Sequence, residues 1–194
     1  ETEPWRHLFH RPLPGLKFER AIVWTRASEL GNNLRLSGIP NVVQAAPFPV
    51  FGHAADHLLS TLGLPAPPLP DLWAPHDARI ILHPGSGSRN KNWPHFLELA
   101  ERIKNAAFLI GPAESGFDTG GFARLENLSL TQIAELLASV RGFVGNDSGI
   151  THLAAYLGCP TIAIFGPTDP EVWRPIGRRV RVMRGSMKIG RAHV

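Results

Sequence analysis

The sequence predicts an α/β fold built on a parallel sheet. From about residue 78 onward, apolar segments of about five residues alternate with amphipathic segments of about ten, as in repeated βαβ units. Several of the amphipathic segments carry helix-start or helix-stop signals. Polar, glycine-containing segments follow the apolar ones, as expected of loops at the carboxyl ends of parallel strands. The 194 residues are enough for one domain or for one and a fraction.

The first part of the chain predicts a smaller set of elements. Short strands are expected at residues 21–25 and near Val42 and Val43, and helices at residues 30–36 and 53–62. A proline-dense run follows and is expected to be extended and semi-rigid. We therefore predict a first domain over residues 1–63 and a linker over residues 64–76.

The second part of the chain predicts the regular sheet. Strands are expected at residues 79–83, 107–110, 142–144 and 161–165, because each is a continuous apolar run typical of a strand buried on both faces. Helices are expected at residues 94–104, 130–140 and 149–157. The second begins with a capping-box spacing from Ser129 to Gln132, and the third ends at Gly158. This domain is predicted to cover residues 77–177.

The charge distribution argues against a nucleic-acid-binding protein. The formal net charge is +4, but six of the twenty basic residues lie within residues 178–194, where there is no acid. The remaining 177 residues carry fourteen basic and sixteen acidic side chains. No basic stripe interleaved with aromatic residues is present. We interpret residues 178–194 as a basic C-terminal tail.

The composition is typical of a folded cytosolic protein. No apolar run approaches the roughly 20 residues that cross a bilayer, and the first residues lack a signal-peptide pattern. The single cysteine, Cys159, excludes an internal disulfide and a cysteine-based zinc site. It is expected to be a small buried residue. His53 and His57 stand four apart on a predicted helix, but without the glutamate of a zinc-protease motif they predict no metal site.

The loop after the first strand of the regular sheet has the composition of a phosphate-binding loop. Two glycines allow close approach to the backbone, and two serines and a lysine before a helix offer contacts: Ser86, Gly87, Ser88 and Lys91. The spacing is not that of a P-loop, and Asn90 stands where the dinucleotide fingerprint needs a third glycine. A flexible glycine-rich turn is the alternative, but the lysine favours phosphate binding.

Two further loops carry candidate ligand contacts. The loop after the third strand enters a helix directly and offers Asp147, Ser148, Gly149 and His152. Helix capping explains one polar residue there, but flanking glycines and a histidine one turn into the helix indicate contact with a ligand at the helix N-terminus. After the second strand, Glu114 is either an acceptor for ribose hydroxyls or a solvated carboxylate. Residues 166–170 after the fourth strand are interpreted as a rigid turn.

In combination and order, these motifs resemble glycosyltransferase family 9, the lipopolysaccharide heptosyltransferases. The resemblance is carried by residues 83–94, 111–114, 145–152 and 160–170, followed by Trp173. It implies a Rossmann-like parallel sheet as the C-terminal domain of a two-domain glycosyltransferase-B architecture. It also implies that Lys91 and the loop from Ser86 to Ser88 hold the diphosphate, Glu114 the ribose, and the segment from Asp147 to His152 the phosphates and sugar.

The same resemblance implies an enzyme and its partners. It would be a glycosyltransferase that binds a nucleotide-diphosphate sugar, commonly ADP-heptose, and transfers the sugar to a lipid-linked saccharide acceptor of the lipopolysaccharide core. The transfer would be inverting and metal-independent, with no cofactor. The location would be cytoplasmic, with peripheral association at the inner face of the cytoplasmic membrane.

One departure from the family concerns the catalytic base. Family members begin with a strand and a Gly-Asp turn whose aspartate is thought to deprotonate the acceptor, and this sequence contains no Gly-Asp pair. Residues 1–63 are therefore expected to be a partial acceptor-side domain, and no catalytic base is assigned. A non-catalytic nucleotide-binding fragment and a sugar-nucleotide epimerase of similar fold are the alternatives.

Overall fold

The computed structural model describes residues 4–184. The chain divides into two compact units, Glu1–Pro67 and Pro68–Val194, and the division falls inside the proline-rich run. Across residues 4–184, every helix is too short or too polar to reach from one side of a bilayer to the other.

The smaller unit contains two parallel strands and two α-helices in its described part. In chain order they are β1 (Arg20–Trp24), α1 (Ser28–Leu36), β2 (Asn41–Ala45) and α2 (Ala54–Thr61), preceded by a 3₁₀-helix at Pro4–Phe9. The strands pair with Arg20 opposite Asn41. Leu8, Val23, Leu34 and Ile39 form its buried core. The predicted strands and helices of this part are confirmed, with ends within two residues of those expected.

His53 and His57 both bond to backbone groups of the smaller unit. His53 caps α2, and its Nδ1 accepts a hydrogen bond from the Ala55 N–H at 3.2 Å. His57 Nε2 lies 2.8 Å from the carbonyl oxygen of Ala46 and donates to it. These contacts give both histidines a structural role, fixing α2 and the loop that follows β2.

In its described part, the larger unit contains a six-stranded sheet in which all neighbouring strands are parallel. The strands are β3 (Asp77–His83), β4 (Ala106–Ile110), β5 (Ala123–Glu126), β6 (Val140–Asn146), β7 (Thr161–Phe165) and β8 (Val180–Arg184). The helices are α3 (Phe96–Glu101), α4 (Leu130–Ser139), α5 (Gly149–Tyr156) and α6 (Pro170–Trp173). The spatial order of the strands is β5-β4-β3-β6-β7-β8. The strands β4 and β5 are added on one side of β3, and the strands β6 to β8 on the other, so the strand order reverses between β3 and β6. The loops after these two central strands therefore lie side by side.

Both faces of this sheet carry apolar clusters, because successive strand residues point to opposite faces. One cluster includes Ile81 and Phe143 with Leu137 of α4 and Ala154 of α5. The other includes Leu82, Phe108 and Val144 with Phe96 and Ala100 of α3. Burial on both faces explains why the central strands read as continuous apolar runs.

The predicted helices are confirmed, but one is shorter than expected. The capping box at the start of α4 is present: the Ser129 hydroxyl accepts from the Gln132 N–H at 3.2 Å, and Gln132 Oε1 accepts from the Ser129 N–H at 2.8 Å. Helix α3 spans Phe96–Glu101, although residues 94–104 were predicted. The Trp93 N–H bonds to a side chain on β6, so the chain before Phe96 is held to the sheet and starts the helix late.

Two edge strands were not predicted. In β5, Ala123 and Glu126 are exposed, Arg124 and Leu125 are partly buried, and Arg124 pairs with Glu126 at 2.7 Å. In β8, valines alternate with exposed arginine and methionine side chains, and Val180 pairs with Thr161 of β7. Edge strands need fewer apolar residues than central ones, so neither β5 nor β8 has the continuous apolar run that predicts a buried strand. The prediction of a tail is wrong for residues 180–184, and residues 185–194 lie outside the described part.

The predicted linker has no regular secondary structure, and its second half is bonded to the rest of the larger unit. The Leu72 and Ala74 N–H groups donate to the carbonyl oxygens of Leu157 and Ala138 at the ends of α5 and α4. The Trp73 indole donates to the Val140 carbonyl at 2.8 Å. Helix ends leave carbonyl groups without intrahelical partners, and this segment supplies donors to them.

Candidate functional site

The loops with the candidate ligand residues converge at one edge of the larger sheet. Strands β3, β4, β6 and β7 are parallel, so the loops that follow them leave from the same edge. We call this edge the carboxyl rim, and residues 84–93, which follow β3, the β3 loop. A network of contacts links the β3 loop to residues that follow β4, β6 and β7.

Asp147, directly after β6, is the centre of a cluster of polar side chains. The Lys91 ammonium donates to Asp147 Oδ2 at 2.7 Å. The Thr168 hydroxyl donates to the same oxygen at 2.8 Å. His152 Nε2 lies 3.8 Å from the other oxygen, Oδ1. The structure thus brings together three predicted site residues, Lys91, Asp147 and His152, and adds Thr168.

The electrostatics of this cluster are set by the burial of Asp147. Its side chain is 7% exposed, against 28% for Lys91 and 41% for His152. Burial alone would raise the pKa of the Asp147 carboxyl, but the nearby His152 imidazole, the hydrogen bonds from Lys91 and Thr168 and the charge of Lys91 outweigh it, and the pKa lies well below its ordinary value. Asp147 is therefore a carboxylate at neutral pH, and it holds Lys91 at the rim.

The β3 loop is shaped by its own hydrogen bonds. The Ser86 hydroxyl lies 2.6 Å from both the Ser88 carbonyl oxygen and Asn92 Oδ1, and it accepts from the Ser88 N–H at 3.3 Å. Ser86 is partly buried, whereas Gly87 and Ser88 are exposed. The loop then forms a short 3₁₀ turn, Arg89–Lys91, which ends with Lys91 pointing to Asp147. A Cβ at Gly87 would meet no atom within 4 Å, so the backbone there is open to a ligand.

Glu114 lies against the start of the β3 loop. A Cβ at Gly85 would overlap the Glu114 carboxyl group, so a larger residue there would displace the Glu114 side chain. Glu114 Oε2 also accepts a hydrogen bond from the Gly111 N–H at 3.2 Å. The glutamate after β4 is thereby fixed beside the loop after β3.

His83, the last residue of β3, is buried and does not reach the rim as a ligand contact. Its Nδ1 donates a hydrogen bond to the Leu109 carbonyl at 2.9 Å.

The N-terminus of α5 opens onto the same rim. Ser148 is its N-cap, and the Ser148 hydroxyl accepts from the Thr151 N–H at 3.3 Å. Gly149 is the first helical residue, and a Cβ there would meet no atom within 4 Å. The first N–H groups of a helix have no intrahelical partner and carry a partial positive charge. Gly149 therefore leaves polar backbone accessible beside Asp147.

Two residues of the rim were not among the predicted site residues. Thr168 lies in the loop after β7, for which the sequence predicts only a turn. Asn146, the last residue of β6, is fully buried and bonds to the β3 loop. The topology is the signal that could have found Thr168, because β7 is the sheet neighbour of β6.

Comparison with known proteins links this unit to a described family. The model of the family described as glycosyltransferase family 9 (heptosyltransferase) matches residues 68–191. Lipopolysaccharide heptosyltransferase 2 of Salmonella typhimurium is 32% identical over 112 residues, which are 48% of this chain and 32% of that protein. The chain spans about a third of the length of the curated relatives of this kind.

Solved structures share the fold. The structure of E. coli ADP-heptose lps heptosyltransferase II has a TM-score of 0.63 and 19% identity, and the match covers 86% of this chain and 68% of that one. E. coli heptosyltransferase WaaC with ADP has a TM-score of 0.60 and 20% identity, covering 89% and 68%. These matches confirm the predicted fold class, a Rossmann-like parallel sheet of the glycosyltransferase-B type.

Proposed function

This chain belongs to glycosyltransferase family 9, and on that premise we propose that its carboxyl rim binds the nucleoside diphosphate of a sugar donor. The donor proposed is ADP-heptose, and the reaction is transfer of the heptose to a lipid-linked saccharide of the lipopolysaccharide core. Support comes from the relative in Salmonella typhimurium, a lipopolysaccharide heptosyltransferase. Further support comes from the structural neighbour whose structure contains ADP.

The observation that carries the proposal is the cluster around Asp147. Lys91 comes from the loop after β3, Asp147 and His152 follow β6, and Thr168 follows β7, yet their polar atoms meet at one carboxylate. An ammonium group beside an open helix N-terminus is a suitable environment for an anionic pyrophosphate. Ligands of parallel α/β sheets bind at this edge.

Each predicted site residue then has a role in the proposal. Lys91, the open backbone at Gly87 and Gly149, and the hydroxyls of Ser86, Ser88 and Ser148 would contact phosphate oxygens. Glu114 would accept hydrogen bonds from ribose hydroxyls beside Gly85. Because phosphate and carboxylate oxygens repel each other, Asp147 would orient Lys91 and His152 and accept hydrogen bonds from the sugar rather than contact phosphate.

The proposed reaction is inverting and metal-independent. The acceptor hydroxyl gives its proton to a base, and its oxygen attacks the anomeric carbon from the face opposite the diphosphate. The bond from that carbon to the diphosphate oxygen breaks, and its electron pair leaves with ADP. Lys91 and the N–H groups at the start of α5 would stabilise the charge that grows on the leaving group. The base is not assigned to a residue of this chain.

The location proposed is the cytoplasmic side of the membrane that carries the acceptor, with peripheral attachment. The support is chemical: a nucleotide-sugar donor is made in the cytoplasm and a lipid-linked acceptor resides in a membrane. Sedimentation with vesicles that contain the lipid-linked acceptor tests this part, and retention only when the acceptor is present would support it.

Calorimetry with ADP tests the proposed site. We expect the chain to bind ADP more tightly than UDP or GDP. Lys91→Ala should weaken ADP binding by about tenfold or more, because a charge-assisted contact to the pyrophosphate is lost. Lys104→Ala is the matched control, since Lys104 is exposed after α3. Equal ADP affinity of Lys91→Ala and the unchanged chain would contradict the assignment.

A product assay tests the reaction class. Incubation with ADP-heptose and acceptor should release ADP in proportion to heptosylated acceptor if transfer occurs. An epimerase would instead leave the sugar on the nucleotide and change only its configuration. Added chelator should leave the rate unchanged if the transfer is metal-independent.

A further inference from the structure

The side-chain amide of Asn146 is buried and forms its hydrogen bonds with the β3 loop. It is the last residue of β6 and is fully buried. Its Nδ2 donates to the Pro84 carbonyl at 2.7 Å and lies 3.5 Å from the Gly85 carbonyl. Its Oδ1 accepts from the Trp93 N–H at 2.9 Å. Buried amides need such partners, and all three of these partners belong to the β3 loop.

These contacts hold the two ends of the β3 loop at one point. Pro84 and Gly85 begin the loop and Trp93 ends it, so a single side chain closes the segment that carries Ser86 and Lys91. At the start of the loop, Gly85 also packs against the Glu114 carboxyl group. The loop therefore has little freedom to move at its base, whereas Gly87 and Ser88 at its tip are exposed.

Asn146 also connects this loop to the centre of the rim. The next residue, Asp147, forms the ion pair with Lys91, so two consecutive residues hold the base of the loop and its lysine. The backbone carbonyl of Asn146 accepts a hydrogen bond from the Thr151 hydroxyl at 2.5 Å, which ties it to the first turn of α5. The spacing between Lys91 and the start of α5 thus depends on Asn146.

From these contacts we infer that Asn146 is a positioning residue for the phosphate-binding groups of the β3 loop. It acts through the loop and does not itself contact the ligand. The inference rests on the proposed function, because it names the residue that sets the geometry of the proposed donor site. Hydrogen-bonded groups held in place before binding lower the entropic cost of binding a ligand.

Asn146→Asp in the full chain tests the inference, with ADP affinity measured by calorimetry. The substitution keeps the volume and the acceptor for the Trp93 N–H, but it places a second oxygen against the Pro84 carbonyl. ADP affinity should fall by about tenfold, as expected when a buried hydrogen bond is replaced by a repulsive contact. Thr161→Val is the matched control, because Thr161 is equally buried and its hydroxyl bonds to the Cys159 carbonyl at the other end of the sheet. The control should retain the ADP affinity of the unchanged chain.

A double-mutant cycle separates positioning from general destabilisation. If Asn146 acts through Lys91, then Asn146→Asp should weaken ADP binding much less in the Lys91→Ala chain than in the unchanged chain. Additive losses would overturn the inference, as would an unchanged affinity of the folded Asn146→Asp chain. Failure of the unchanged chain to bind ADP would instead refute the proposed function.

Hydrogen exchange of the unchanged chain provides a test that needs no variant. The Trp93 backbone amide should exchange slowly, because it donates to a buried oxygen. Exchange as fast as that of the exposed Gly87 amide would show that the loop is not held by Asn146 and would overturn the inference, even if Asn146→Asp did not fold.

Discussion

The ion pair of Lys91 and Asp147 and the ion pair of Arg179 and Asp71, at the two ends of the sheet in the larger unit, differ in burial. At the carboxyl rim, polar and charged residues are buried: His83, Asn146, Asp147, Ser148 and Thr151. At the amino ends of the strands, charged residues form ion pairs near the surface. Arg179 and Asp71 there are 37% and 39% exposed, and Arg79 pairs with Asp77 in a similar position.

This difference indicates that the polar side chains of the carboxyl rim are held in a fixed geometry at some cost in folding stability. Burying a polar group is unfavourable unless it is hydrogen-bonded, and a buried ion pair gains little over an apolar pair of the same size. Within residues 4–184, every buried side-chain nitrogen or oxygen has a partner. The rim therefore avoids the penalty only while its network is complete. A surface ion pair has no such requirement, since water replaces a lost partner.

Asp147→Ala should give the largest effect on stability. It leaves Lys91 and the Thr168 hydroxyl without their shared acceptor in a largely buried place. We expect the free energy of unfolding to fall by about 2 kcal/mol, less than for a fully buried pair because Lys91 is partly exposed. Urea unfolding of the two chains measures the difference. A loss of unfolding free energy no greater than that caused by a surface substitution would contradict the difference between the two ends of the sheet.

The pH dependence of that loss sharpens the comparison. The pKa of Asp147 is depressed in the folded chain, so its contribution to stability is present above its ordinary value of 3.8 and is lost as the pH falls toward the folded pKa. The gap in unfolding free energy between the unchanged chain and Asp147→Ala should therefore be present at pH 5 and above, and it should shrink below about pH 4. A gap that did not shrink below about pH 4 would contradict the assigned ion pair.

Substitution of two glycines of the rim should distinguish an effect on core packing from an effect on ligand access. A Cβ at Gly145 would lie 2.6 Å from the Thr151 hydroxyl and 2.7 Å from the Phe143 ring, so Gly145→Ala should cost about 1 kcal/mol in unfolding free energy, less than Asp147→Ala. A Cβ at Gly149 meets open space, so Gly149→Ala should leave stability within about 0.5 kcal/mol. It should nevertheless weaken ADP binding, because the methyl group would cover the helix N-terminus. Calorimetry and urea unfolding of both variants measure these effects, and equal ADP affinity for Gly149→Ala would contradict the position of the site.

The central elements could be predicted from sequence because their causes are local. Strands β3, β4, β6 and β7 are apolar runs, and α4 begins with a capping box. The predicted burial of Cys159 is confirmed, and burial raises the pKa of its thiol to about 12. Position after a strand was sufficient to select Lys91, Asp147 and His152 as site residues, which the structure brings together.

The remaining features depend on contacts between distant parts of the chain. The ion pair joins residues 56 positions apart, and nothing near Lys91 in the sequence indicates its partner. Asn146 and Thr168 have ordinary local roles as a strand end and a turn residue, and only the order of strands in the sheet places them beside the β3 loop. The polar edge strands β5 and β8 are strands because of the neighbours they pair with.

Asp71→Asn should give the smallest effect and completes the comparison. Like Asp147, Asp71 has a lowered pKa, caused first by its hydrogen bond from Arg179, but both side chains are exposed, so water and salt screen the interaction. Arg179 also keeps its bond to the Gly158 carbonyl at 3.1 Å and its position 4.8 Å from the Trp73 ring centroid. We therefore expect the urea midpoint of Asp71→Asn to match that of the unchanged chain. A loss as large as that of Asp147→Ala would mean that burial does not distinguish the two ends of the sheet.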